Sequence, residues 1–307
     1  GFVVKSLPWW VWVLGVLVIV LAIGAGVVAG RMLDTDGPEA EEETTATVEG
    51  DDDAGETEIE EAEEPLEPTE TQTVRVYLAR GEYLGVVTRT VPATPAIARA
   101  AMEELLAGPN ATETGWGFGS EVPDGTRLLG LTIDGGTARV DLSGDFESGG
   151  GMLSVTMRLA QVVYTLTQFP TVDRVVLMMD GEVVDVFTGE GLMLDEPRTR
   201  ADFEYVLPAI FLESPTPGQA AGNPVRLTGT ANTFEAAFMV RILGQDGSVI
   251  VEQPAMATSG TGTRGTFDVT VNYPLAAGGN GAVVVYEQSA EDGSDINIVE
   301  VPVVLGE

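Results

Sequence analysis

Between Asp34 and Gln72 the chain carries eighteen acidic side chains and no basic one. Such a stretch has little apolar surface to set against its ordering entropy, and its like charges repel. It is expected to be a disordered, extended linker, with an upper reach of roughly 130 Å at about 3.3–3.6 Å per residue. The run before it has the opposite character. Trp9 to Ala29 is apolar or glycine throughout, and no charge falls between Ser6 and Gly30. Twenty-odd such residues at about 1.5 Å rise match a hydrocarbon core about 30 Å thick. Trp9, Trp10 and Trp12 suit a membrane interface, and Lys5 sets the short end on the cytoplasmic side. Residues 1–33 are therefore expected to be a single-pass transmembrane anchor in the cell membrane, N-terminus cytoplasmic, with everything after it extracytoplasmic. The rival is a cleaved signal peptide with small residues around Gly24–Gly30, whose apolar core would be shorter, about 7–15 residues. Gly26 and Gly30 have the spacing that lets two membrane helices approach, which makes a homo-oligomer a candidate.

Composition removes several chemistries. The chain has no His and no Cys. Ser-His-Asp and Cys-His catalysis, His/Cys zinc sites, thiol redox chemistry, disulfides and a lipidated cysteine are all excluded. Residues 73–307 hold thirty acidic side chains against thirteen arginines. That balance argues against nucleic acid and strongly anionic ligands. The Gly149–Gly151 run lacks the Lys and spacing of a phosphate loop.

The remaining 235 or so residues suffice for two cores. Thr73–Ala79 alternates apolar and polar, and Gly81 separates it from Tyr83–Val91, a hairpin pattern. Thr94-Pro95 offers an N-cap and first helical residue for a helix through Ile97, Ala101 and Leu105, ended by Gly108-Pro109. Arg127–Ile133 and Thr137–Leu142 flank Asp134-Gly135-Gly136, a second hairpin. Met152–Gln168 reads as the longest helix, with one apolar stripe through Val155, Leu159, Val162, Val163, Leu166 and Phe169. Arg174–Met179 and Glu182–Phe187 meet across Asp180-Gly181. The order ββα-ββα-ββ is an α+β domain over 73–208, two helices on one face of a mostly antiparallel sheet. Residues 209–307 show no helical period. Short runs at Pro224–Gly229, Ala237–Leu243, Val249–Gln253, Gly265–Val271, Ala282–Glu287 and Ile296–Val304 predict an all-β immunoglobulin-like sandwich. Pro302 points to an edge or a bulge in the last strand. Phe187–Pro208 is apolar enough to pack, so the two domains are expected to be fixed to each other, with proteolysis cutting 34–72 before Ser214–Asn223.

Several co-linear motifs resemble a known family. Val91-Pro-Ala-Thr-Pro95, Leu105-Leu-Ala-Gly-Pro109, Pro123-Asp-Gly-Thr126, Leu128-Leu-Gly130, Val140-Asp-Leu-Ser143, the run Arg158–Thr167 and Thr199-Arg-Ala-Asp-Phe203 resemble the GerMN domain of bacterial sporulation and germination proteins. Ser214-Pro215, Gly229-Thr-Ala-Asn232, Thr258–Phe267 and Tyr286–Ile298 resemble Gmad2, an immunoglobulin-like domain found after GerMN. The resemblance covers about 73–305 and implies a cell-envelope protein. It brings no catalytic set of residues, and the lipid anchor of some relatives has no cysteine to use here.

Four groups of residues are candidates for binding. Arg158, Gln161 and Tyr164 lie off the apolar stripe of the long helix, either lining a binding surface or forming a solvated face. Thr261, Thr263 and Arg264 sit in the Gly/Thr-rich loop Thr258–Thr266, which offers hydroxyls and a guanidinium to a carboxylate or glycan, or merely connects strands. Trp116 in Gly115–Gly119 is either a sugar-stacking aromatic or a tucked anchor. Glu291, Asp292 and Asp295 offer oxygens to calcium, the one cofactor the sequence suggests, without the usual bidentate spacing. The leading reading is a non-enzymatic envelope protein that binds a cell-wall polymer or another envelope protein. The second is an assembly subunit packing with itself or partner membrane proteins. The third is a glycoside hydrolase built on two carboxylates.

Overall fold

Alternation makes the first hairpin. β1 (Thr71–Arg80) and β2 (Tyr83–Pro92) pair antiparallel without a slip from Thr71↔Pro92 to Arg80↔Tyr83. The computed structural model describes residues 70–187, 191–274 and 278–306. The expected anchor at 1–33 and linker at 34–72, with the Gly26/Gly30 motif, lie outside them, Glu70–Gln72 apart. Among the described residues no helix is long and apolar enough to cross a membrane. β1 departs from strict alternation because Tyr77 and Ala79 are buried alongside Val76 and Leu78. Both faces of this strand are covered, one by helices and the other by the second module.

α1 (Ile97–Leu106) buries Ala98, Ala101, Met102 and Leu105. Its N-cap is Ala96, without a side-chain cap, so the start expected at Thr94-Pro95 is displaced by two residues. The Thr94 hydroxyl instead accepts from the Ala96 amide, 3.1 Å. A short α2 (Ala111–Gly115), not read from the sequence, begins at a capping box: the Glu113 amide donates to Asn110 Oδ1 at 3.0 Å and the Asn110 amide to Glu113 Oε2 at 2.8 Å. Arg89 ties this corner together, meeting Glu113 at 2.5 Å and Glu104 at 3.0 Å. β3 (Phe118–Gly119) then joins β1, giving the order β2-β1-β3.

β4 (Leu128–Asp134) and β5 (Thr137–Leu142) turn through Gly135 and Gly136, both with positive φ. α3 (Met152–Leu166) crosses to β6 (Arg174–Met179), which pairs parallel to β5. The single sheet expected from the sequence is in fact two: β2-β1-β3, and β4-β5-β6-β7 with β7 at Glu182–Val183. α3 touches strands of both sheets, and every side chain from Val155 to Leu166 is buried. The expected strand Glu182–Phe187 breaks after Val183. Val184 and Phe187 turn into the core, where Phe187 stacks edge-on against Phe146, 5.8 Å between centroids. β8 (Val186–Phe187) pairs with β9 (Leu192–Met193) instead.

The second module is a sandwich. One sheet is β10 (Ile210–Ser214), β12 (Val225–Ala231) and β15 (Gly265–Val271). The other runs β11-β17-β16-β13-β14, from β11 (Ala220–Ala221), β13 (Ala237–Leu243), β14 (Val249–Met256), β16 (Gly279–Gln288) and β17 (Asp295–Leu305). Phe238, Val240, Ile242, Phe267, Val283 and Val301 fill the space between. Pro302 pairs with Ala282. Its missing N–H falls on the side away from β16, where β17 lacks a strand neighbour until Val304, so the edge expectation holds locally.

β10 was not legible as a strand, and it decides how the modules relate. Ile210 and Leu212 belong to the sandwich core, whereas Phe211 between them belongs to the core of the first module. Period-two alternation therefore gives one strand to two cores. A Cβ at Gly229 would fall on the Phe211 carbonyl oxygen, so only glycine admits this close approach. The described residues all lie within one compact unit.

Candidate functional site

The junction carries a polar lock and, beside it, an open groove. In the lock, Tyr77 donates to Glu213 Oε1 at 2.6 Å, and Arg200 donates to the same oxygen at 2.9 Å. Arg200 also donates to Tyr77 Oη at 3.1 Å and to Thr167 Oγ1 at 2.9 Å. Its guanidinium lies 4.6 Å from the Tyr164 ring and 5.3 Å from the Tyr77 ring. Burial raises the Tyr77 pKa, reinforced by Glu213, and pushes Tyr164 up to about 12. Burial works against the Arg200 charge, but Tyr77 and Glu213 together hold its pKa above the usual range. This cluster is stable chemistry, with each donor facing an acceptor.

The groove has a volume of about 390 Å³ and is walled by the end of the β1–β2 hairpin, the start of β10 and the middle of β17. That is a ligand-sized cavity at a domain junction, where binding sites commonly form. Arg80 spans it, donating from Nε to the Trp116 carbonyl at 3.2 Å and from Nη1 to the Glu300 carbonyl at 3.0 Å. The guanidinium carbon stands 5.4 Å from the Phe118 ring centroid. Desolvation lowers the Arg80 pKa, and Glu300 opposes the shift. Gly85 leaves room for the Phe118 ring, which a Cβ there would meet at 2.7 Å. Tyr83 at 48% exposure and Ile298 at 57% form an apolar rim. Apolar walls, one pinned cation and bare backbone can hold a ligand by shape and hydrogen bonds. They present no nucleophile and base in contact.

Sequence reading missed Arg80, Tyr83, Ile298 and Glu300, because the groove exists only where distant strands meet. The residues it did single out lie elsewhere. Arg158 is only 2% exposed, and Gln161 and Tyr164 are buried with it, so neither a binding surface nor a solvated face describes them. Arg158 donates to the carbonyls of Glu121 at 3.1 Å, Phe146 at 2.5 Å and Gly149 at 3.1 Å. Gln161 accepts from the Glu121 amide at 2.9 Å and donates to the Tyr77 carbonyl at 3.3 Å. Tyr164 donates to the Arg200 carbonyl at 3.2 Å. They became interior because α3 is enclosed on all sides, and each polar group found a backbone partner there.

Arg264 is also committed, to the carbonyls of Pro208 at 2.9 Å and Thr230 at 3.4 Å, so it pins the loop to the junction. The Thr261 hydroxyl accepts from the Glu235 amide at 2.9 Å, and Thr263 is exposed. The glycines of this loop serve packing: a Cβ at Gly260 would overlap the backbone of Thr233 and Ala236. Gly260→Ala is accordingly expected to cost about 1–3 kcal/mol through overpacking. Gly278→Ala, where the space is open, should leave thermal unfolding nearly unchanged. Equal melting temperatures for the two variants would contradict this account.

Trp116 is the tucked anchor, its ring against Gly218 of the second module. Of the three acids read as calcium ligands, Glu291, Asp292 and Asp295, the last two are engaged by other partners. Asp292 accepts from the amide and hydroxyl of Ser294, 3.0 and 2.7 Å, which holds its pKa below the usual carboxylate range. Asp295 pairs with Arg241 at 3.3 Å. Among the described residues no three carboxylates gather to hold a metal ion.

Fold and junction define a two-module protein, an α+β domain fused to an immunoglobulin-like sandwich. Residues 68–185 match the model of the Germane family, described as sporulation and spore germination, and residues 209–294 match Gmad2, the immunoglobulin-like domain of bacterial spore germination. The chain thus carries a GerMN-like domain followed by a Gmad2 domain. Among solved structures it is similar to the first GerMN domain of the sporulation protein GerM from Bacillus subtilis. Identity there is 25% and the TM-score 0.36, over 43% of this chain and 99% of that one. The tandem GerMN domains of the same protein align at 18% identity and TM-score 0.37, over 66% of this chain and 61% of that one. No curated protein matches.

Proposed function

We propose that this chain is a non-enzymatic, membrane-anchored, extracytoplasmic binding or scaffold protein of the bacterial cell envelope, divided at 73–208 and 209–307, with the junction groove as its binding surface. The sporulation- and germination-related domains supply the family-level role. The observation that carries the finer reading is the shared strand: with Phe211 in one core and Ile210 and Leu212 in the other, the two modules hold the groove walls at a fixed separation. A preformed cavity avoids the ordering cost that a hinged one would meet on binding. The test places a photo-crosslinking amino acid at Tyr83 of the full chain in its native membrane, with Val249, similarly exposed on β14, as control. A specific adduct at Tyr83, to a wall polymer or an exported protein, supports the reading. An adduct to a second copy would favour self-assembly instead, and matching patterns at the two positions would remove the groove as the site.

A further inference from the structure

One wall of the groove is a strand edge. β17 pairs with β16 from Asp295 to Leu305 except at Asn297 and Ile298, but on its other side β11 reaches only Val304 and Leu305. Val304 donates its N–H outward to the Gln219 carbonyl at 2.9 Å, so alternation turns Pro302 and Glu300 to the same side. Pro302 has no N–H, and its carbonyl is taken by the Gly218 amide. That closes the edge at one end. At the other, Asn297 takes a positive φ where the β16–β17 register shifts. Between these stops the groove is lined by consecutive residues from Asn297 to Val301. A strand face would contribute every second side chain; an edge contributes each residue in turn. The Glu300 carbonyl holds Arg80, its amide lies on the same side, and Ile298, which has no partner on β16, lines the cavity.

The lining of the groove holds one cation, Arg80, and one carboxylate, Glu300, which attract each other, and the exposed Glu82 beside Tyr83 adds a second carboxylate near its mouth. Arg80 directs its donors to backbone carbonyls. The Glu300 carboxylate on the wall and that of Glu82, next to Tyr83, are exposed, and neither forms a salt bridge. The chain as a whole has a formal net charge of −33. Such a field speeds encounter with cationic partners and repels phosphate-bearing polymers.

We infer that the groove takes a short, extended, basic segment of a partner polypeptide as an added strand, a conclusion that rests on the groove being the binding surface. The incoming backbone pairs with β17 at Ile298–Glu300. Its apolar side chains lie on Tyr83, Leu84 and Phe118, and its basic side chains face Glu300 and Glu82. Backbone pairing supplies affinity and the alternate side chains supply selectivity.

The test uses the full chain and three fluorescent octapeptides: alternating lysine and valine, alternating glutamate and valine, and the lysine–valine peptide N-methylated at every second residue. The lysine–valine peptide should bind, and the other two should bind at least about tenfold more weakly. Glu300→Lys should weaken the lysine–valine peptide by about tenfold, and hydrogen exchange should slow at the amides of Ile298–Glu300. Binding indifferent to Glu300→Lys would place the peptide on the acidic tract and overturn the inference. Equal affinity for the N-methylated peptide, or no binding at all, would overturn it too. A glycan adduct at Tyr83 without peptide binding would overturn the polypeptide ligand while leaving the groove as the site.

Discussion

Replacing Arg158 with Met is expected to lower the unfolding free energy by about 3–5 kcal/mol, or the melting temperature by about 10 °C. The methionine keeps much of the side-chain volume, so the loss isolates the guanidinium. That group fastens three carbonyls, of Glu121, Phe146 and Gly149, from two separate segments. Its carbon lies 5.7 Å from the Phe146 ring and 6.0 Å from that of Phe187. Desolvation lowers the Arg158 pKa, with Glu121 opposing. Removing the cation leaves carbonyls at or near the interior without partners, a desolvation cost of about 1–3 kcal/mol each. Arg158→Lys should recover only a small part, because a single ammonium cannot reproduce a planar fork across three acceptors. Calorimetry on both variants checks this. A loss below about 1 kcal/mol for Arg158→Met would mean that the loops at 121 and 146–149 hold themselves.

The same residue shows where sequence reasoning stops. Period and turn chemistry are local, and they located the hairpin through Gly81, the Asp134-Gly135-Gly136 turn and the strands Ala237–Leu243 and Gly265–Val271 closely. Hydrophobic period also found α3, but it assigned Arg158 and Gln161 to a surface. A stripe shows which side of a helix prefers burial, not whether the opposite side is covered too. The cover comes from Tyr77 on β1 and from the loops around Glu121 and Phe146–Gly149, which bond to Gln161 and Arg158, long-range contacts that no local pattern announces.

The candidate site was less legible for the same reason. Arg80 and Glu300 meet across 220 positions of chain, and neither lies in a motif. The loop hydroxyls and the acids of the 291–295 tip stood out by composition, yet short-range partners such as Ser294 for Asp292 had already engaged them. A charged or hydroxyl-rich loop most often satisfies itself first. One signal was available: Ile210-Phe-Leu212 is an apolar run with no polar alternate, as a strand buried on both faces should read.

That strand gives the second large effect. Phe211→Ala should cost about 3–5 kcal/mol as a large-to-small change in a packed site, and its character should be distinctive. Phe211 meets Tyr77 at 6.3 Å and Tyr164 at 6.2 Å between ring centroids, the second edge-on. It is the apolar half of the joint whose polar half is Arg200 with Glu213. Truncation opens a void beneath that ion pair and admits water, which weakens the pair in turn. The two cores then lose their coupling while each keeps its own strands. A single thermal transition should become two, and protease should cut between Ser214 and Asn223. Leu227→Ala, whose side chain lies wholly in the sandwich core, serves as the comparison of similar cost. It should destabilise the sandwich without raising cleavage at 214–223 in the native state. If Phe211→Ala merely shifts one transition downward, the polar lock alone couples the modules, and the groove walls owe their spacing to Arg200 and Glu213.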